Sequence, residues 1–178
     1  MPVSPYLATI RAKVGHDLVA LTAVSISIFD SNGRIFLAED ADTGLWTLPG
    51  GAIDPDEMPS DAAVRECWEE TGLLVEPVRL IGVFGGSQFR VVYPNADQCY
   101  YTVIAFEARV IGGSPRPDGS ETLSLGYFTK EEFGKLNVSR SSRVIATQAF
   151  EQCRDPYFSR PTWRVEGGPA LPDVDGAR

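Results

Sequence analysis

Residues 50–73 read GGAIDPDEMPSDAAVRECWEETGL, from Gly50 to Leu73, and the reading of this stretch decides how the rest of the chain is arranged. A glycine pair opens it, a loop carries the isolated Glu57, and a short helix follows. The helix is marked by Pro59 at a first helical position, by Asp61 in the first turn and by Gly72 as a left-handed C-cap. At 100° per residue Glu70 lies about 40° to one side of Glu66 and Glu69 about 60° to the other, so the three acids share a narrow face. Val64, Cys67 and Thr71 cluster on the far side with Trp68 at their edge, and this is the face expected to pack on a sheet.

Such an acidic face carries a cost. Two carboxylates ~6 Å apart at an effective dielectric of ~20 repel by about 3 kcal/mol, against a total stability of ~5–15 kcal/mol for an ordinary domain. Arg65 is expected to neutralise one charge. A solvated acidic surface is one reading of three such acids. The other is a hard divalent cation on oxygen ligands, with Mg²⁺ favoured where a substrate supplies phosphate oxygens. Glycine at 50 and 51 would let the backbone come close to that ion.

Outward from this stretch the pattern alternates between strands and helices. Residues 1–18 contain a short helix with Tyr6, Ile10 and Val14 at four-residue spacing. Leu18 to Phe29 is a strand rich in β-branched residues, Asp30-Ser31-Asn32-Gly33 is a hairpin turn, and Arg34 to Ala38 is the returning strand. Leu45 to Leu48 is a short strand that breaks at Pro49. After the acidic helix, Val75 to Phe84 is a strand interrupted or started at Pro77. Phe89 to Tyr93 is a short β-like run, Cys99 to Ile111 the longest strand, and Leu123 to Phe128 a further one. Thr129 and Glu132 form a capping box for a helix through Lys135. Ser139 to Cys153 is an amphipathic helix with Val144, Ile145, Ala149 and Phe150 on its stripe. Residues 1–154 therefore form one domain with a short N-terminal segment, and 155–178 are expected to be a mobile Pro/Gly-rich tail, with Trp163 as an anchor within it.

Composition narrows the function classes. The chain of 178 residues carries a formal net charge of −8 and a sequence pI near 4.7. It has no global cationic field for nucleic-acid backbone or an anionic membrane. A small anionic substrate then needs local cations or a metal. The opening MPVSPYLATIRAKVGHD lacks a secretory core, and no apolar run reaches the ~20 residues of a membrane span. Cys67, Cys99 and Cys153 are odd in number and widely spaced, which suits neither a disulfide framework nor a zinc knuckle and points to a reducing cytoplasm. Cys67 is expected to pack in the core. His16 is the single histidine and reads as solvated. The phosphate-loop, dinucleotide and nucleophile-elbow signatures are missing.

Gly51, five residues, Glu57, seven residues, then Arg65-Glu66-Cys67-Trp68-Glu69-Glu70-Thr71-Gly72-Leu73 resembles the Nudix box, Gx5Ex7REUxEExGU, with every fixed letter present. Leu45-Trp46-Thr47-Leu48-Pro49-Gly50 is similar to the segment that leads into this box, and the strand order with the late Glu121 extends the likeness over about residues 18–135. Met58 stands where a serine cap is frequent, Cys67 where an aliphatic is usual, and Asp54 with Asp56 where Glu and Gly are common. None of these removes a ligand.

The resemblance to the Nudix hydrolase family, the MutT-like pyrophosphohydrolases, implies an α+β fold, a mixed β-sheet sandwiched between helices (α/β/α). It implies Mg²⁺-dependent hydrolysis, with Mn²⁺ as substitute, of a nucleoside diphosphate linked to another moiety, water attacking a diphosphate phosphorus. Glu66, Glu69 and Glu70 would bind the metal with the backbone carbonyl of Gly50. Glu57 would support the site through Arg65 or through a water on the metal, and Arg65 would orient the acids. The general base is Glu69 or Glu70 in one version and Glu121 in the other. The substrate is a small nucleotide, either a nucleoside triphosphate or a nucleotide sugar such as ADP-ribose. Nucleic acid and membrane are not expected as partners, and a homodimer is compatible with the likeness. A non-catalytic nucleotide-sensing module is the alternative function, and RNA end processing fits the acidic balance poorly. Trp46, Phe89, Tyr93 and Tyr100 are candidate base-stacking residues, with Arg90, Arg11 or Lys13 for further phosphates.

Overall fold

The computed structural model describes residues 4–163 and 166. Its elements are α1 (Pro5–Val14), β1 (Val19–Ile28), β2 (Ile35–Asp40), β3 (Trp46–Thr47), α2 (Pro59–Thr71), β4 (Leu73–Phe84), β5 (Arg90–Val92), β6 (Gln98–Gly113), β7 (Thr122–Phe128), α3 (Lys130–Lys135) and α4 (Arg140–Glu151). β6 is the spine of a mixed sheet, with β1 parallel on one edge and β4 and β5 antiparallel on the other. A second, antiparallel sheet runs β3-β2-β7.

The apolar runs explain this layering. Every residue of β1 from Ala23 to Ile28 is buried, as is β2 from Ile35 to Ala38, the signature of strands covered on both faces. One cover is α2, whose Ala62, Ala63 and Cys67 pack with Val24, Ile26, Ile28 and Phe36. The other is α4, whose Ile145, Ala146 and Ala149 join Ala23, Ile35, Leu37, Leu48 and Val103. The result is the α/β/α sandwich that the family resemblance implied. Ile26 and Ile28 are wholly enclosed, each worth about 1.5–3 kcal/mol relative to exposure.

Several elements differ from expectation for physical reasons. The turn at Asp30–Gly33 forms, with Gly33 N–H donating to the Asp30 carbonyl at 3.0 Å. β1 and β2 nevertheless share a single bridge, Phe29 with Ile35, and then part into different sheets. The edge of β1 that a hairpin partner would use is already taken by residues 49–53. Val24 N–H donates to the Gly51 carbonyl (2.9 Å), Ile26 N–H to that of Pro49 (2.8 Å), and Ile53 N–H to that of Thr22 (3.0 Å). β4 begins at Leu73 and passes through Pro77, absorbing it as a register shift between Pro77 and Arg79 that leaves Val78 exposed. The run from Phe89 divides into a 3₁₀ turn, Ser87–Phe89, and β5.

The capping box at Thr129 and Glu132 forms as read, and Ser139 caps α4 by accepting from Ser142 N–H at 3.3 Å. The expected mobile tail lies for the most part outside the described residues. Its first part does not hang free: Tyr157 bridges Gly82, while Trp163 is exposed. Among the described residues no helix is long and apolar enough to cross a membrane.

Candidate active site

The site is built where the loop of residues 49–53 lies along β1 and faces α2. Pro49 and Gly51 spend their carbonyls on β1, and the Gly50 carbonyl between them accepts no hydrogen bond among the described residues. Gly50 has φ +148°, and a Cβ there would fall on the Val24 carbonyl oxygen. A Cβ on Gly51 would lie 2.5 Å from the Glu66 carboxylate. Gly50 is therefore required by close approach to backbone, whereas a side chain at 51 would have to displace the Glu66 carboxylate. At the other end of α2, Gly72 takes the left-handed C-cap with φ +70°. Met58 makes no side-chain cap at the start, consistent with the missing serine.

Arg65 is more deeply engaged than a single neutralising charge. Its guanidinium grips both oxygens of Glu57 (2.7 and 2.8 Å), donates to Glu66 (2.8 Å) and Glu69 (3.2 Å), and reaches the Ala52 carbonyl at 3.1 Å. Glu57 also accepts from Asp54 N–H at 3.1 Å. Both Glu57 oxygens are thus occupied, and its carboxyl is held below the usual range chiefly by Arg65. The arginine pinches the loop, the helix and the first acids into one unit.

Glu70 points the other way and accepts from Gly50 N–H at 3.1 Å. Burial pushes its proton affinity well up against that one hydrogen bond, and Glu66, Glu121 and Asp118 add repulsion. Glu66 is raised too, again mainly by burial, with Arg65 offsetting and Glu69 and Glu121 repelling. Glu121 is raised by burial, with Asp118 and Glu69 contributing. Glu66, Glu70 and Glu121 therefore each feel acidic neighbours, while Arg65 engages Glu66 and Glu69 on the far side.

These residues fit a hard divalent cation in chemistry: carboxylate oxygens and one unspent backbone carbonyl, with no soft donor. As they stand, no three acidic, histidine or cysteine side chains among the described residues are gathered closely enough to hold an ion. Glu66 and Glu69 face Arg65 instead. The Glu69 side chain is 58 % exposed and that of Glu66 14 %.

From this floor a cleft of about 490 Å³ opens, with Gly50, Gly51, Glu70 and Glu121 at one part of its lining and Asp40, Asp42, Arg90, Tyr93, Tyr101 and Arg140 elsewhere. Of the aromatic candidates, Tyr93 lines it, and its hydroxyl bonds that of Tyr101 at 2.8 Å. Phe89 touches the cleft but is only 2 % exposed, so its ring is a core ring rather than an open stacking face. Tyr100 is turned away, its hydroxyl accepting from Gly86 N–H, and Trp46 packs edge-on against Phe128. Arg11 is spent on the Gln98 carbonyl and Cys99, next to Asp97, which also binds His16 at 2.7 Å. Cys67 is enclosed, its thiol pushed up to about 11 by burial.

Sequence reasoning missed three contributors. Tyr101 was passed over for its neighbour because strand alternation had no anchor until β6 was paired. Ser142 accepts from Leu48 N–H at 2.9 Å and ties α4 to the segment entering the site. Asp118 accepts from the backbone N–H groups of Ser120, Glu121 and Thr122. Burial works against its charge, yet these bonds and that from the Ser120 hydroxyl bring its pKa to about 2. The Asp-Gly-Ser triplet just before Glu121 was the available signal for that turn.

Comparison with known proteins bears on the same residues. The NUDIX domain family model matches residues 20–148. The chain is similar to a MutT-like protein of Streptomyces ambofaciens, 32% identical over 114 residues, which are 63% of this chain and 67% of that protein. An RNA pyrophosphohydrolase of Cereibacter sphaeroides is 40% identical over 60 residues, 33% of this chain and 37% of that protein. Among solved structures, an ADP-ribose pyrophosphatase from Streptococcus suis superposes with a TM-score of 0.61 at 26% identity, covering 77% of this chain and 96% of that one.

Proposed function

The chain belongs to the Nudix family and is a pyrophosphohydrolase acting on diphosphate bonds, and from that premise we propose that it hydrolyses, with Mg²⁺, a nucleoside diphosphate linked to a second moiety. The observation that carries this reading is the disposition of α2, where Arg65 gathers Glu57, Glu66 and Glu69 while Glu70 faces the cleft. Glu66, Glu69, Glu70 and the Gly50 carbonyl would hold the cation, which when bound supplies charge neutralisation at the diphosphate. Glu57 acts through Arg65, since both of its oxygens are on the guanidinium. Arg65 positions the acids and does not touch substrate. Glu121 accepts the proton of the attacking water: it shares the cleft with Glu70, its affinity for a proton is raised, and the Asp118 turn fixes its backbone.

The charges along the cleft bear on the second moiety. Among the described residues its lining carries Glu70, Glu121, Asp40 and Asp42 against Arg90 and Arg140. A divalent ion offsets the surplus and leaves little cationic field for further phosphates. That balance suits a substrate of about two negative charges, both on the diphosphate, over a triphosphate of about four. A nucleotide sugar such as ADP-ribose is therefore favoured over a nucleoside triphosphate. The test is a phosphate-release screen with Mg²⁺ across nucleoside triphosphates, nucleotide sugars and dinucleoside polyphosphates. Highest kcat/KM on a nucleotide sugar is expected, and preference for a triphosphate overturns that choice. No turnover on any of them overturns the enzymatic reading of the site.

A further inference from the structure

The chain beyond α4 returns to the sheet at Gly82. Tyr157 N–H donates to the Ile81 carbonyl at 2.7 Å and forms a parallel bridge with Gly82. A Cβ on Gly82 would fall on the Tyr157 carbonyl oxygen, so the crossing depends on that glycine. Arg79 fastens the near end of the segment by donating to the Cys153 carbonyl at 2.6 Å, while its other nitrogen binds Glu107. The Tyr157 ring stacks on Phe84 with centroids 5.2 Å apart and planes 16° from parallel. Phe84 in turn packs on Phe89 at 6.2 Å.

Phe89 is the buried root of the wall Gln88–Pro94, which lines the cleft. Between Phe84 and that wall the chain passes through Gly85 and Gly86, the latter at φ +97°. A glycine pair transmits little stiffness along the backbone. The ladder of β5 with β6 holds residues 90–92, whereas the turn Ser87–Phe89, between that ladder and the glycine pair, is located by the packing of the Phe89 ring, and the outer member of its aromatic stack is Tyr157.

We propose that Tyr157 is a positioning residue for the cleft-lining turn Ser87–Phe89, acting on it through Phe84 and Phe89. It touches neither substrate nor the acids of α2. The assignment of a role in substrate affinity rests on the cleft being the nucleotide site, whereas the control of the turn does not. Tyr157→Ala removes the ring, and Gly82→Val pushes the crossing segment away, with the Tyr157 ring, without deleting any aromatic side chain. Loss of one stacked ring pair corresponds to about a two- to tenfold change in an equilibrium. With the preferred nucleotide both variants are expected to raise KM by about that factor with kcat held within about twofold, and Tyr157→Phe to restore the wild-type KM.

Hydrogen–deuterium exchange on the full chain reads the positioning without turnover. Faster exchange at residues 86–89 with unchanged exchange at 62–71 is the expected result in both variants. Unchanged exchange at 86–89 overturns the proposal. So does a KM equal to wild type in both variants, or a fall in kcat that matches the fall in kcat/KM. Absence of activity in the wild-type protein, with the exchange difference present, would instead count against the enzymatic reading and leave control of the turn standing.

Discussion

Replacing Glu70 by Gln separates the cost of the site from its chemistry. The glutamine oxygen can still accept from Gly50 N–H, and the negative charge is gone. Glu70 is repelled by Glu66, Glu121 and Asp118 and is buried. One such pair is worth about 3 kcal/mol at ~6 Å and an effective dielectric of ~20, and the positive charge of Arg65 on Glu66 reduces it, so removing Glu70's charge should stabilise the metal-free fold by about 1–3 kcal/mol. For a chain of this size that is a rise in Tm of about 3–8 °C.

The sign depends on pH. Because the folded-state pKa is raised above the unfolded value, wild type and variant should coincide at low pH, where Glu70 is protonated in both folded and unfolded chains. The gap should open as pH rises above the unfolded value of about 4.3 and reach its full size once Glu70 ionises in the folded protein. Thermal melts in a chelator at pH 4 and pH 8 measure it. Adding Mg²⁺ should raise the wild-type midpoint more than the variant's, and turnover should fall by about a hundredfold or more. A lower metal-free Tm in Glu70→Gln at pH 8 would refute the view of Glu70 as a buried, poorly compensated charge. Turnover within tenfold of wild type would refute its place in the reaction.

Three further outcomes follow from the geometry. Arg65→Lys keeps the charge but loses the paired contact with Glu57 and the reach to the Ala52 carbonyl, so kcat should drop by about tenfold with the fold intact by circular dichroism. Gly51→Ala places a methyl group against the Glu66 carboxylate and should raise the Mg²⁺ concentration needed for half-maximal activity, read from a metal titration at fixed substrate. In a thiol-reagent titration of the native protein only Cys153 should react promptly, because Cys67 and Cys99 are enclosed; all three should react in denaturant.

What could be read from the amino acids follows from the range of the interactions involved. The helix Pro59–Thr71, its left-handed cap and the narrow acidic face depend on residues within a few positions of each other, and they stand where local rules put them. The capping box at Thr129 is legible for the same reason. The hairpin at Asp30–Gly33 misled because the turn chemistry is local while the competition for the edge of β1 is not, the winning segment lying some twenty residues further on. Tyr101 in place of Tyr100 is a one-residue error of face, the kind that strand alternation produces when register is unknown. The contact of Glu57 with Arg65 came from the family likeness, as one of two alternatives, because a linear sequence does not by itself reveal that the loop folds back onto the helix.

The loop of residues 49–53 is bolted by three hydrogen bonds to a strand in the middle of the core, whereas the wall of residues 88–94 joins the body through a glycine pair at one end and the short edge ladder of β5 on β6. These two halves of the cleft can therefore change at very different rates under selection. An insertion or substitution in the wall alters what fits beside the diphosphate and leaves the floor undisturbed; a comparable change in the floor has to be accommodated by β1 and everything packed on it. The scaffold is in this sense a fixed tool with an exchangeable grip, and a designer wishing to redirect its specificity should begin at residues 86–94.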